Sequence, residues 1–185
     1  MFVRKITAAL AVTLGLAFLV PVVATGSASA APAVAARTIY YDASGSQEFK
    51  DAVDEGAAAW NKAVPEIELK PAAGGQATIT VLADDGWPRT ISYGFGQGTI
   101  WMGRQAVNDG FYPPRIAAHE LGHTLGLPDN RNGQCDYLMS GHSSPTSCQS
   151  TTPHATEIAQ VKRNAGVGVS AVRAEPAAYE NCFVF

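Results

Sequence analysis

His119-Glu120-Leu121-Gly122-His123-Thr124-Leu125-Gly126-Leu127-Pro128-Asp129 is the stretch on which the reading of the whole chain turns. Residues four apart on an α-helix lie one above the other, so a helix here puts two imidazoles, His119 and His123, within reach of one metal ion. Glu120 lies one step round the helix, placed to exchange a proton beside the metal without ligating it. Gly126 tolerates the left-handed conformation that ends helices and reverses the chain, and Pro128 reinforces the stop. The reversal brings a third ligand back. Asp129, three residues beyond Gly126, is the expected one; the competitor is His142, since histidine is the commoner third ligand in such patterns, but it lies beyond the next turn. Two imidazoles and a ligating carboxylate, with a second carboxylate beside them, imply one zinc ion in an open, hydrolytic site.

Tyr137-Leu138-Met139-Ser140-Gly141 follows shortly after. Alone, Met139 would read as an ordinary core residue. Behind a complete ligand set, a methionine in a tight turn reads as an apolar floor beneath the metal that does not bind it. His154, at the start of a further helix, is expected on the surface. Cys135 and Cys148 bracket the methionine turn and are expected to pair, closing a loop worth about 3 kcal/mol in the chain-entropy account. Cys182 is left over.

With 185 residues, 46% of them hydrophobic and 16% charged, the chain supports one ordinary globular domain. Its first thirty residues differ from the rest. Arg4 and Lys5 precede a nearly continuous apolar run over residues 6–23, and residues 28–30 form an Ala-Ser-Ala cleavage site. Pro21 and the small residues after it favour a signal peptide, residues 1–30, over a membrane anchor. Cleavage would take the net charge from −3 to −5, because Arg4 and Lys5 are the only charged residues removed. No Lys/Arg cluster survives, which argues against nucleic acid and anionic membranes as partners. Residues 31–37 are expected to be a short pro-segment or disordered terminus, too short to cover a site and without a cysteine or acid to cap zinc. The expected product is a secreted, extracellular monomer whose partners are protein or peptide substrates.

Residues 37–42, rich in β-branched and aromatic side chains, read as a first strand. Phe49, Val53, Ala57, Trp60 and Val64 recur at helical spacing and predict an amphipathic helix ending before Pro65, with Trp60 as its core anchor. Residues 66–70 and 77–83 read as strands separated by residues 71–75. Residues 84–88 form a turn whose Asp84 and Asp85 are expected in solvent rather than on calcium. The glycine-rich run 93–98 leads into a strand at 99–103; no Lys-Ser/Thr follows it, which argues against a phosphate loop. Residues 114–125 form the histidine helix and 152–164 a second helix. Residues 166–185 have no period and are expected to be a loosely attached tail.

The zinc motif and the methionine turn resemble those of the metzincin clan. The aspartate in the third ligand position, the small size and the Cys135/Cys148 bracket resemble the snapalysin family of small secreted neutral proteases within it. The resemblance covers residues 38–165. It implies an α/β (α+β) domain: a compact zincin with a twisted mixed sheet, an active-site helix and a small irregular C-terminal part. It further implies His119, His123 and Asp129 as zinc ligands, Glu120 as the catalytic residue, a Cys135–Cys148 disulfide, and cleavage before an aromatic residue. Some relatives hold calcium just ahead of the zinc helix; Phe111-Tyr112-Pro113-Pro114-Arg115 offers no carboxylate there, so calcium is not expected. Gly141 stands where other metzincins carry a tyrosine ligand.

The expected function is a secreted zinc endopeptidase. Its substrate would add as an extended strand beside an edge strand at residues 99–103, with Tyr137, Ser140 and His142 lining the pocket after the scissile bond. The alternatives are a non-catalytic secreted module whose zinc is structural and closed by His142, and a metal-free binding domain.

Overall fold

A computed structural model of the chain describes residues 36–72, 74–166 and 177–179. The expected signal peptide, Cys182 and most of the 31–37 segment lie outside the described residues; Arg37, at the end of that segment, already begins the first strand. Strands β1 (Arg37–Gly45), β2 (Ile67–Pro71), β3 (Ile79–Asp84), β4 (Arg89–Gly94), β5 (Gln97–Gly103) and β6 (Ala177–Tyr179) form one mixed sheet in the order β2-β1-β3-β5-β4-β6. Neighbours from β2 to β5 pair in parallel, whereas β4 runs antiparallel to both β5 and β6. The sheet and its helices are of the expected α/β class.

A parallel β1–β2 pair needs a crossover. Helix α1 (Lys50–Ala63) supplies it, burying Val53, Ala57 and Trp60, while Phe49 and Val64 are buried at its two ends. Trp60 Nε1 donates to the Ala118 carbonyl at 2.8 Å, which fixes α1 to helix α3 (Pro113–Thr124) and gives Trp60 the anchor role expected of it. A short helix, α2 (Arg104–Asn108), lies between β5 and α3 and was not foreseen. Residues 114–124 are all buried, so the histidine helix is the centre of the core rather than a surface helix with one wet face. Helix α4 (Ala155–Asn164) starts three residues later than the expected 152–164, because His154 is extended and caps it, with Glu157 completing a capping box.

The main departure from expectation is β4. Its buried positions are the polar Thr90 and Ser92, while Ile91 is half-buried and Tyr93 exposed. The alternation of hydrophobicity is therefore inverted, and a search for an apolar inner face passes over the strand. Because β4 pairs with β5, residues 99–101 of the expected edge lie between β3 and β4 and offer no free edge for a substrate. The outer side of β4 is itself paired: Thr90, Ile91 and Ser92 stand opposite Tyr179, Ala178 and Ala177. Part of the 166–185 stretch is thus a strand of the sheet rather than a loose tail. No helix among the described residues is long and apolar enough to cross a membrane.

Candidate metal centre

Helix α3 opens with prolines at its first two positions, where their missing N–H groups cost nothing. It closes at Gly126, whose φ of 80° is the left-handed conformation foreseen for it. There the Gly126 N–H bonds to the His123 carbonyl at 2.9 Å and the Leu127 N–H to the Gly122 carbonyl at 3.1 Å, the paired bonds of a Schellman ending. The reversed chain then passes back beneath the helix. Its Leu127 carbonyl lies 2.8 Å from His123 Nδ1, and the Leu138 carbonyl lies 3.0 Å from His119 Nδ1. A carbonyl can only accept, so both Nδ1 atoms carry their hydrogens and both Nε2 lone pairs point inward.

Those lone pairs converge. The two Nε2 atoms are 3.1 Å apart, and Asp129 Oδ1 lies 3.2 Å from that of His119 and 3.5 Å from that of His123. Tetrahedral zinc with bonds of about 2.0–2.1 Å holds its ligand atoms about 3.3 Å apart, so the spacing and the N/N/O donor chemistry both fit that ion. Asp129 Oδ1 is buried without a hydrogen-bond donor, and a cation between the three atoms would turn their mutual repulsion into attraction. Electrostatics point the same way. Burial pushes the His123 imidazole down to about 4, against which Asp129 pulls only in part. Burial also pushes His119 down, but its pairing with Asp129 and the charges of Glu120 and Asp129 outweigh it, so His119 is raised. Burial would raise Asp129; the facing imidazoles prevail and hold it well below the usual carboxylate range.

The support under these groups is built from α4 and the methionine turn. The fully buried Met139 lies in a 3-10 turn over Leu138–Ser143. A Cβ on Gly122 would stand 2.7 Å from Met139 Sδ and 3.2 Å from Trp60 Cζ2, so the thioether packs directly against α3 between the two histidines. Glu157 holds the turn: its carboxylate accepts from the Leu138 N–H at 3.1 Å, the Met139 N–H at 2.8 Å and the His154 N–H at 2.7 Å. Buried Arg115 donates to the Tyr137 and Ser150 carbonyls at 2.7 and 2.6 Å, and Cys135 is joined to Cys148, as expected, with a Cα separation of 5.3 Å.

Glu120 is wholly buried, and its Oε2 accepts a 2.7 Å hydrogen bond from Thr90 Oγ1 on β4. Among the described residues the three-donor cluster is His119, His123 and Asp129; His142, the competing third or fourth ligand, is half-buried and outside it. Of the expected pocket residues, Ser140 is fully buried with its hydroxyl 3.1 Å from that of Ser143, so it presents no surface to a ligand. Tyr137 stacks on His154 at 3.9 Å between ring centroids. A cavity of about 300 Å³ lies instead beside the ligand loop, lined by Leu127, Pro128, Asn130, Met139 and Arg163. Asp84 and Asp85 are paired with Arg89 and Arg104 respectively. Sequence reasoning missed Thr90, Glu157 and the two orienting carbonyls. Only Glu157 had a signal, its three-residue offset from the helix-capping His154.

Residues 36–168 match the family described as Streptomyces extracellular neutral proteinase (M7). The extracellular small neutral protease of Streptomyces caespitosus is 36% identical over 128 residues, covering 67% of this chain and 93% of that protein. The protein of the same name from Streptomyces coelicolor is 31% identical over 147 residues, 80% of this chain and 68% of that one. The Streptomyces lividans protein is 33% identical over 132 residues, and the match spans only 58% of its length. Among solved structures, an archaemetzincin from Methanopyrus kandleri aligns with 74% of this chain and 98% of its own at a TM-score of 0.48 and 13% identity. On the family match and the level of identity, the chain belongs to the Streptomyces extracellular neutral proteinase (M7) family.

Proposed function

We propose that the protein is a secreted zinc endopeptidase with one catalytic ion held by His119, His123 and Asp129. The observation that carries this reading is the convergence of their three donor atoms within 3.5 Å, with the Glu120 carboxylate on the same helix one residue from the first ligand. When bound, zinc supplies a Lewis acid that polarises the scissile carbonyl and brings the pKa of water towards about 7. The two main-chain carbonyls behind the imidazoles hold them in the tautomer that presents Nε2. Glu120 takes the proton as water attacks the carbonyl carbon, then delivers it to the nitrogen as the C–N bond breaks. A closed structural site would use four protein ligands, and the described residues bring three together, which leaves a position for water or substrate.

Preference for an aromatic residue after the scissile bond is the finer part of the proposal and rests on family membership. Tyr137 and His142, rather than the buried Ser140, are the surface groups left to shape that pocket. Substrates are proteins or peptides, and the site of action is extracellular, in keeping with the names of the relatives. The test is Glu120→Gln. Zinc content and the unfolding transition should match the parent while peptide hydrolysis falls by about 10²-fold or more; a variant that still hydrolyses at the parent rate would end the proposal.

A further inference from the structure

We propose that Thr90 is the residue that positions the acid–base carboxylate, a role that rests on the zinc-peptidase reading above. Its Oγ1 lies 2.7 Å from Glu120 Oε2 and 3.3 Å from the Glu120 main-chain carbonyl. A hydroxyl has one hydrogen, and the shorter, charge-assisted bond to the carboxylate takes it. Both side chains are wholly buried, so water does not compete for the bond.

The donor is held on a rigid support. Thr90 pairs with Ile100 of β5 on one side and Tyr179 of β6 on the other, so its main chain is fixed within the sheet. Being β-branched, it has little freedom at χ1. The acceptor is on α3, the helix that carries the two histidines. One hydrogen bond therefore ties the working carboxylate of α3 to the sheet beside it, and engages Oε2 so that proton exchange falls to Oε1. This also explains why an inward position of β4 is polar. Valine has the same shape and would be the better choice for packing alone; threonine there is explained by its partner. Glutamate has three rotatable side-chain bonds, and a misplacement of about 1 Å at a reacting group can cost about 10²-fold in rate.

The experiment compares Thr90→Val with Thr90→Ser in the full chain, because packing and positioning rank them in opposite orders. Valine keeps the volume and loses the donor; serine keeps the donor and loses a buried methyl. With a quenched peptide substrate, Thr90→Val should lower kcat by about 10–100-fold with KM and zinc content unchanged. Thr90→Ser should stay within a few-fold of the parent although it unfolds at lower denaturant. A readout independent of turnover is the Glu120 Cδ resonance in zinc-free protein labelled at glutamate Cδ with carbon-13, assigned by its loss in Glu120→Gln. It should move in Thr90→Val and hold in Thr90→Ser. A kcat in Thr90→Val within two-fold of the parent, serine as damaging as valine, or an unmoved resonance in the valine variant would each overturn the proposal. If the parent itself hydrolyses nothing, the peptidase reading fails, and the resonance alone still decides whether Thr90 holds the carboxylate.

Discussion

Replacing Glu157 by glutamine strikes the support of the metal centre without touching a ligand. The carboxylate accepts three main-chain N–H groups, two at Oε2 and one at Oε1. Glutamine keeps one acceptor oxygen. In its best orientation the amide oxygen serves Leu138 and His154, and the amide nitrogen then faces the Met139 N–H, donor against donor, in a buried space. One charge-assisted bond is lost, worth about 1.5–3 kcal/mol, and the two that remain lose their charge, so about 3 kcal/mol is expected in all. For a domain of this size that lowers Tm by roughly 10 °C. The Leu138 carbonyl that orients His119 belongs to the same turn, so zinc affinity should fall about 10–100-fold, as it does when an orienting group behind a metal ligand is removed. Thermal unfolding of the zinc-free protein reads the first effect, and competition with a chromogenic chelator reads the second. A variant with unchanged Tm and unchanged zinc affinity would refute the assignment of Glu157 as the clamp of the methionine turn.

Gly126→Ala places a side chain at φ 80° with its Cβ 2.7 Å from Asn164 Nδ2; urea unfolding should show a loss of about 1–3 kcal/mol. Reducing the Cys135–Cys148 bond, or changing both cysteines to serine, should cost about 3 kcal/mol, seen as a lower urea midpoint and unchanged on adding reductant to the double variant. For zinc-free protein, acid should destabilise. An unfolded histidine takes up its proton near 6.5, while buried His123 resists until about 4, so across that window the unfolded chain binds more protons and stability falls as pH falls. Asp129, held low, extends the loss below 3.8, whereas His119, held high, opposes it by losing its contribution as pH rises. Urea midpoints measured between pH 8 and pH 4 should decline through that window; midpoints that rise as pH falls would contradict the burial of His123.

What was legible in the chain was legible for local reasons. Helix α1 announces itself by five apolar residues at helical spacing, and the metal helix by histidines four apart with a glycine to end it. The approach of Asp129 to the two imidazoles follows from the same geometry, since a single chain reversal at Gly126 carries its carboxylate back to them. Strand β4 was hidden because it serves the site: its inner face carries Thr90 and Ser92, hydroxyls that face polar partners, so the hydrophobic alternation that marks strands is inverted. With β4 overlooked, β5 was taken for a free edge. Pairing of residues 177–179 with β4 is a long-range contact between Ala-Ala-Tyr and a polar strand, and neither partner carries a pattern that names the other. Glu157 and the Leu127 and Leu138 carbonyls act through main-chain geometry, to which residue identity contributes little.

The most direct test of the central claim is hydrolysis of a quenched peptide with a central tyrosine by the mature protein, before chelation, after exhaustive chelation, and after zinc is restored. Cleavage that disappears with the metal and returns with one equivalent of zinc, on the amino side of the tyrosine, is the expected result. Cleavage that survives complete removal of zinc, or protein that binds one zinc and cuts nothing, would contradict it.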